Sequence, residues 1–371
     1  MASVAPAVNV NARLLALDGL RFVAALAVVL YHYINRPEAA DFGMLGAITQ
    51  FGYLGVPLFF MISGYVIAVS AAQRSPWAFL VARAVRLYPA YWCGLAFTVA
   101  VVFLSSGKFP TLAQLLANLT LFNDVLGFAN IDGVYWTLHA ELRFYACVFV
   151  LLVLGVFNHY RWWLTVWLCI TLVHLFTGQP FFMGWFISPI YSPFFIAGIL
   201  FYLMQRGGYS WFVAMMLPAC LLLALWRGFD VASSFIVDVT LLQRCICVAA
   251  VATFFAIFYC IVRSQSDKQV IVRTDIAKPL IWRRVLPVMG ALTYPLYLLH
   301  NVAGKEIIDT LIPFIGEATA ITLTVAFMLL CSLILVTYLE PPLARGLKRL
   351  LQGRFFPVLF FAVNRRRANI Q

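Results

Sequence analysis

The sequence predicts an all-α protein, a polytopic transmembrane helical bundle of about ten helices with both its N-terminus and its C-terminus in the cytosol. Three observations support this prediction. The composition is too apolar for a soluble domain, apolar runs of spanning length follow one another along the chain, and the Lys and Arg residues concentrate in alternate loops. Together they indicate an integral membrane protein.

The composition is that of a membrane protein. Of the 371 residues, 64% are hydrophobic and 11% are charged, and the mean hydropathy is +0.93, whereas a soluble domain carries roughly 25% charged residues. The eight cysteines lie in apolar runs without CxxC pairs, so we expect packing residues and neither a disulfide framework nor a metal site. The first apolar run contains charged residues and lacks a small-residue cleavage site, which favours a helix of the mature protein over a signal peptide.

Ten runs are long and apolar enough to cross a bilayer, which takes about 20 residues. They lie near residues 14–35, 51–71, 84–106, 134–158, 161–177, 188–205, 209–226, 239–262, 285–303 and 318–340. The run 161–177 is short, so we expect it to be tilted or drawn inward. The stretch 111–122 is too short to span and predicts an interfacial or re-entrant helix.

Orientation follows from the basic residues. With the N-terminus inside, 19 of the 26 Lys and Arg residues fall on the inner side, which is where such an excess is found in membrane proteins. The net charge of +12 is therefore a topology signal, and it leaves no basic patch for nucleic acid. We predict a transmembrane domain over residues 1–341 and a basic cytosolic tail over residues 342–371.

Polar groups inside a predicted span are costly in lipid, so each needs an explanation. In the first span, Arg21 and His32 are separated by ten residues, which places both side chains on one helical face about 16.5 Å apart along the axis. Asp18 precedes Arg21 by one turn and can pair with it. A structural ion pair beside a packed histidine is one interpretation, but the shared face favours a functional one.

The second span reads GYLGVPLFFMISGY. Gly52, Gly55 and Gly64 in this run allow close helix approach. Ser63 is a candidate nucleophile, although no base is visible beside it and such a serine usually bonds only the backbone.

Arg83 and Arg86 begin the third span and share a helical face because they are three residues apart. Two forked guanidinium groups on one face suit a phosphate group. Anchoring by the positive-inside rule explains the same pair equally well, so the sequence alone leaves both interpretations open.

The fourth span carries Glu141, four residues before Tyr145. An intramembrane glutamate is rarely idle, and an ion pair with Arg143 or Arg244 is the structural alternative. In the ninth span, TYPLYLLHN, a lone histidine such as His300 is more often a packing residue than a functional one.

The predicted topology orders these groups by depth. His32, Glu141 and His300 lie in the outer half of the membrane, and Arg83 and Arg86 lie at the inner face. The polar groups therefore trace a line across the membrane, with a basic cytosolic end and an acid–base end nearer the outside.

At these residues the chain resembles the membrane-bound acyltransferase-3 family. Five motifs in matching order and spacing, over about 300 residues, carry the resemblance: Arg21-x10-His32, GVPLFFMISGY at 55–65, the RxxR pair Arg83 and Arg86 followed by LYP, WTLxxELxFY at 136–145, and YPLYLLH at 294–300. The resemblance implies an enzyme that takes an acyl group, commonly acetyl, from a cytosolic coenzyme A thioester. The acceptor it implies is a hydroxyl, usually on a sugar of a surface polysaccharide, a lipid-linked glycan or a glycosylated small molecule.

The resemblance also implies residue roles. Arg83, Arg86 and Arg21 would bind the acyl donor, and His32 would be the general base, since imidazole titrates near neutral pH. Glu141 would orient His32 or share in proton transfer. Supporting residues would be Asp18, Ser63, Trp136, Tyr145, Tyr294 and His300. Direct transfer and an acyl-enzyme intermediate both remain open.

Partners and location follow from the same resemblance. Acyl-CoA is expected as a co-substrate rather than a permanently bound cofactor, and the other partners are a glycan or glycosylated acceptor and the membrane lipids. The expected location is a bacterial plasma membrane. A transporter or flippase for a glycan or acylated small molecule is the alternative, because it would also place charges along a path through the bundle. Binding of a coenzyme A thioester by the purified protein separates the two.

Overall fold

A computed structural model describes residues 10–178, 188–266 and 280–353, with side chains for residues 15–178, 188–263 and 284–353. Within these ranges every regular element is helical, which confirms the all-α prediction. The helices are α1 (Val10–Ile34), α2 (Met44–Thr49), α3 (Gly55–Ala71), α4 (Pro76–Ser106), α5 (Leu112–Thr120), α6 (Trp136–Val153), α7 (Tyr160–Thr177), α8 (Ser192–Gly207), α9 (Trp211–Asp230), α10 (Leu241–Ser266), α11 (Leu280–Leu299), α12 (Val302–Ile315), α13 (Glu317–Ile334) and α14 (Glu340–Gln352). Three 3₁₀ turns (Gly52–Leu54, Gly133–Tyr135 and Val231–Ser234) and one π-helical turn (Leu335–Leu339) connect them.

Helices occupy all ten predicted spans, and seven segments are long and apolar enough to cross a membrane. These are Leu15–Ile34, Met44–Ala71, Pro76–Ser106, Gly133–Val153, Trp211–Ser234, Leu241–Arg263 and Glu317–Gln352. An eighth candidate is the pair Arg284–Leu299 and Val302–Ile315, which is bent by 72°. A polytopic membrane bundle is thus confirmed, while a count of ten spans stays a prediction because α7 and α8 do not reach the same length and hydropathy.

The chain divides into two compact units. Unit 1 comprises Met1–Pro37, Asp41–Tyr65 and Ile190–Thr293, and unit 2 comprises Glu38–Ala40, Val66–Pro189 and Tyr294–Gln371. Unit 1 therefore holds α1, α2, α8, α9, α10 and most of α3 and α11. Unit 2 holds the remainder of α3 and α11 together with α4 to α7 and α12 to α14.

Glycines bring α3 and α8 into backbone contact within unit 1. A Cβ atom added to Gly64 would lie 2.1 Å from the carbonyl oxygen of Phe195, and one added to Gly198 would lie 2.0 Å from that of Met61. Real Cβ atoms do not approach so closely, so a side chain at either position would force the two helices apart. The predicted close helix approach is confirmed at Gly64.

In unit 2 the short helix α5 lies against the middle of α4. Its length confirms that it is too short to span. Three α4 side chains donate hydrogen bonds to carbonyl groups in the last turn of α5, where few backbone partners remain. These bonds run from Tyr91 to Asn118 (2.6 Å), from Trp92 to Leu119 (3.0 Å) and from Tyr88 to Thr120 (2.9 Å). Tyr88 lies about 27 Å along the axis from the end of α4 at Ser106, which favours the re-entrant alternative over the interfacial one.

The final helix α14 contains the beginning of the predicted basic tail. It runs from Glu340 to Gln352 and packs along α4. The rest of that tail, after residue 353, lies outside the described residues.

Candidate functional site

The predicted site residues fall in both units. Unit 1 carries Asp18, Arg21, His32 and Ser63, and unit 2 carries Arg83, Arg86, Trp136, Glu141, Tyr145, Tyr294 and His300.

In unit 1, Asp18 and Arg21 form the predicted ion pair, with 3.8 Å between Oδ1 and Nη1. A Cβ atom added to Gly290 of α11 would lie 2.5 Å from the Asp18 carboxyl carbon. The absence of a side chain at residue 290 therefore makes room for this carboxylate, and a substitution there would displace the pair.

Two glycines fix the part of α1 that leads to His32. A Cβ atom added to Gly52 would lie 2.1 Å from the Ala27 carbonyl oxygen, and one added to Gly55 would lie 2.6 Å from that of Ala24. The predicted close approach is thus confirmed at both glycines, and it sets the position of the last turns of α1. His32 lies in this final turn.

Aromatic contacts secure the residue next to this histidine. The Tyr31 hydroxyl donates a hydrogen bond to the Phe235 carbonyl oxygen at 3.0 Å. Tyr53 stacks on Phe235 with 4.3 Å between ring centroids, and its ring also contacts Tyr31. His32 itself is partly buried, so its side chain is held on a fixed element without being sealed from its surroundings. Ser63 is 9% exposed and lies on α3 beside the contact with α8.

In unit 2, five predicted residues come together in what we term the arginine–tyrosine cluster: Arg83, Arg86, Glu141, Tyr145 and Tyr294. The Arg83 guanidinium lies 5.9 Å from the centre of the Tyr145 ring, and the Arg86 guanidinium lies 5.4 Å from that of the Tyr294 ring. The Tyr145 hydroxyl donates a hydrogen bond to Glu141, as their spacing of four residues allows. Tyr294 interacts electrostatically with Glu141, Arg86 and Tyr145.

The cluster presents cations that a ligand can reach. The Arg86 side chain is 45% exposed. Arg83 donates to the Ser70 hydroxyl at 3.3 Å, and its Nε atom is buried without a hydrogen-bond partner in the described part of the chain. Guanidinium groups stacked on aromatic rings keep their edges available for hydrogen bonds to an anion. The arrangement therefore suits phosphate groups. Glu141 lies beside the two arginines through its contact with Tyr145, so the predicted separation of Glu141 in the outer half from Arg83 and Arg86 at the inner face is wrong.

A pocket of about 360 Å³ adjoins Arg83 between α4, α6 and residues 121–125. One wall carries His139 and Arg143 of α6, whose side chains lie 3.6 Å and 3.7 Å from the Asp124 carboxylate. The His139 Nε2–H group donates to the Asn123 Oδ1 atom at 3.1 Å. These contacts hold the segment after α5 against α6, and the pocket is otherwise lined mostly by apolar side chains.

His300 lies at the break between α11 and α12, where it is completely buried. Its Nδ1–H group donates to the Tyr297 carbonyl oxygen at 2.8 Å.

Asp132 stabilises the break between α11 and α12, because its carboxylate accepts hydrogen bonds from the Asn301 side chain at 2.7 Å and from the Val302 amide at 2.9 Å. A backbone amide freed by a helix break needs such a partner. Trp136 is the first residue of α6 and follows the 3₁₀ turn that Asp132 precedes.

Sequence reasoning did not assign three acidic residues of unit 2. Asp124 and Asp132 lie in a loop without a recognisable motif, so their partners His139 and Asn301 emerge only from the fold. Glu340 lies 3.6 Å from Arg86. The sequence does mark Glu340, because it is an acidic residue at the end of a predicted span and is followed by Pro341 and Pro342.

Comparison with known proteins identifies one matching family and three relatives. The model of a family described as an acyltransferase domain, acyltransferase-3, matches residues 14–337. "Acyltransferase MdmB" of Streptomyces mycarofaciens is 29% identical over 254 residues, which are 60% of this chain and 61% of that protein. "Exopolysaccharide production protein ExoZ" of Rhizobium meliloti is 36% identical over 107 residues, 26% of this chain and 32% of that protein. "Protein 2 in picA locus" of Rhizobium radiobacter is 39% identical over 97 residues, 24% of this chain and 45% of that protein.

The chain thus aligns with less than two thirds of each of these relatives. No solved structure shows significant similarity to it.

Proposed function

Because the chain belongs to the acyltransferase-3 family, we propose that it is an integral membrane O-acyltransferase that moves an acyl group, acetyl in our proposal, from a coenzyme A thioester to a hydroxyl group of a sugar-containing acceptor. The carrying observation is the arginine–tyrosine cluster. Two guanidinium groups, which suit the phosphates of coenzyme A, lie beside the Glu141–Tyr145 pair in one unit. A relative named for exopolysaccharide production supports a polysaccharide acceptor.

The proposed chemistry takes its residue roles from the family motifs. Arg83 and Arg86, together with Arg21, bind the donor. His32 takes the proton from the acceptor hydroxyl as its oxygen attacks the thioester carbonyl. The new ester bond forms, the carbon–sulfur bond breaks, and the thiolate of coenzyme A leaves and is protonated. Glu141 contributes to proton transfer.

The purified protein tests this function through donor binding. It is expected to bind acetyl-CoA in titration calorimetry, and deletion of its gene is expected to remove an ester-linked acyl mass from cellular glycans in mass spectrometry. A complemented strain serves as the control. Failure to bind any coenzyme A thioester, with glycan acylation unchanged in the deletion strain, would reject the acyltransferase and favour a transporter or flippase.

We further propose that both termini face the cytosol of a bacterial plasma membrane and that the donor enters from that side. The basic residues of the inner loops support this orientation. Two variants, Lys108→Cys and Ser266→Cys, each add one cysteine to the protein. The added cysteines are expected to react with an impermeant maleimide from opposite sides of sealed vesicles. The unaltered protein, which keeps its eight native cysteines, provides the background signal, and labelling of both positions from one side would contradict the topology.

A further inference from the structure

Glu340 forms an ion pair with Arg86 of the arginine–tyrosine cluster. Its Oε1 atom lies 3.6 Å from the Arg86 Nη1 atom, and its side chain is 14% exposed. This distance describes a loose ion pair rather than a hydrogen bond, so Glu340 leaves most of the Arg86 donor groups available. The two residues therefore place a cation and an anion side by side.

The backbone before Glu340 is unusual. Residues Leu335–Leu339 form a π-helical turn, and α14 begins immediately after it with Glu340 followed by Pro341 and Pro342. A residue added to a helical turn rotates the side chains that follow by about 100°, and π-helical turns occur frequently at functional sites. The wide turn thus sets the direction in which the carboxylate projects from α14 relative to α13.

One oxygen of this carboxylate lacks a partner. Glu340 Oε2 is buried and has no hydrogen-bond partner among the residues that the structure describes. Leaving a buried carboxylate oxygen unsatisfied destabilises a protein, so such an atom calls for an explanation. A bound molecule that supplies an N–H or O–H group would satisfy it.

We propose that Glu340 is a donor-binding residue, whose Oε2 atom accepts a hydrogen bond from an amide N–H group in the pantetheine arm of the acyl donor while Arg86 binds a phosphate. This inference rests on the proposed function. A carboxylate repels phosphate groups, so Glu340 must face a neutral part of the donor. In a coenzyme A thioester the arm that follows the phosphates carries two amide N–H groups, which match an acceptor beside an arginine.

Fragments of the donor test this assignment. Titration calorimetry would use acetyl-CoA, adenosine 3′,5′-bisphosphate and S-acetylpantetheine, with the last two also measured as competitors of acetyl-CoA. Glu340→Ala is expected to weaken the binding of acetyl-CoA and of S-acetylpantetheine about 10- to 100-fold, as for a lost hydrogen bond to a charged group. The binding of the bisphosphate is expected to weaken less. Arg86→Ala is expected to weaken the binding of the bisphosphate more than that of S-acetylpantetheine.

Controls keep the outcomes separate. Glu340→Gln preserves size and one acceptor oxygen, so a folded Glu340→Gln protein with intermediate affinity supports the contact even if Glu340→Ala is unstable. Glu306→Ala removes a partly buried acid that accepts a hydrogen bond from Ser105 in the same unit, and donor affinity should not change. If Glu340→Ala loses more affinity for the bisphosphate than for S-acetylpantetheine, Glu340 acts only through Arg86 and the proposal is wrong. Unchanged affinity for all three ligands also rejects it. A wild-type protein that binds none of them rejects the proposed function instead.

Discussion

His32→Ala is expected to lower acyl transfer by about 10²- to 10⁴-fold, the contribution typical of a general base, while the protein still folds and inserts. An imidazole can take a proton from a hydroxyl group near neutral pH, whereas Arg21 on the same face of α1 stays protonated. Complementation of the gene-deletion strain, with the acylated fraction of its glycans measured over time by mass spectrometry, gives the rate. Acetyl-CoA affinity of the purified variant should stay close to that of the wild type.

Two further variants make this result specific. His32→Gln keeps a similar size and hydrogen-bonding groups but cannot accept the proton, so it should be as inactive as His32→Ala. His174→Ala removes a partly buried histidine from α7, to which we assign no role, and should transfer at the wild-type rate. Near-normal transfer by His32→Ala would remove the proposed base.

The local features of the fold could be predicted from the sequence because they depend on composition and spacing. Apolar runs located the helices, and the glycines predicted the backbone contacts at Gly52, Gly55 and Gly64. The break after Leu299 could not be predicted, because it depends on hydrogen bonds from Asn301 and Val302 to Asp132, which is distant in the sequence. Periodicity reports how a helix is patterned, and it carries no information about a remote carboxylate that stabilises a gap.

The candidate site shows the same division. The spacing of three residues predicted that Arg83 and Arg86 share a face, and the spacing of four predicted the Glu141–Tyr145 contact. The stacking of Arg86 on Tyr294 joins segments about 200 residues apart, so only the family motifs could suggest it. Glu340 escaped prediction because an acid at the end of a span is usually a solvated boundary residue, and its burial beside Arg86 requires the tertiary fold.

The Arg83→Ala/Arg86→Ala double variant is expected to weaken acetyl-CoA binding on the order of 100-fold or more, since each charge-assisted hydrogen bond to a phosphate contributes more than a neutral one. Burying phosphates is costly, so we expect the nucleotide end of the donor to stay at the membrane surface, held by these two cations. Titration calorimetry measures the affinity. Raising the salt concentration should weaken binding by the wild type and have little further effect on the double variant, because salt screens the attraction that the variant lacks.

A second double variant separates the site from the general charge of the surface. Arg345→Ala/Lys348→Ala removes two positive charges from α14, which we place on the same side of the membrane, so its effect on long-range attraction should be similar. If the arginines form a specific site, the α14 variant should lose little affinity for acetyl-CoA, and the Arg83→Ala/Arg86→Ala variant should lose much more. Replacing both arginines with lysine keeps the charge but removes the fork that binds phosphate through two hydrogen bonds, so an intermediate affinity is expected. Equal losses in the two alanine variants would show that the cluster attracts the donor only through net charge, and the phosphate site would then have to lie elsewhere.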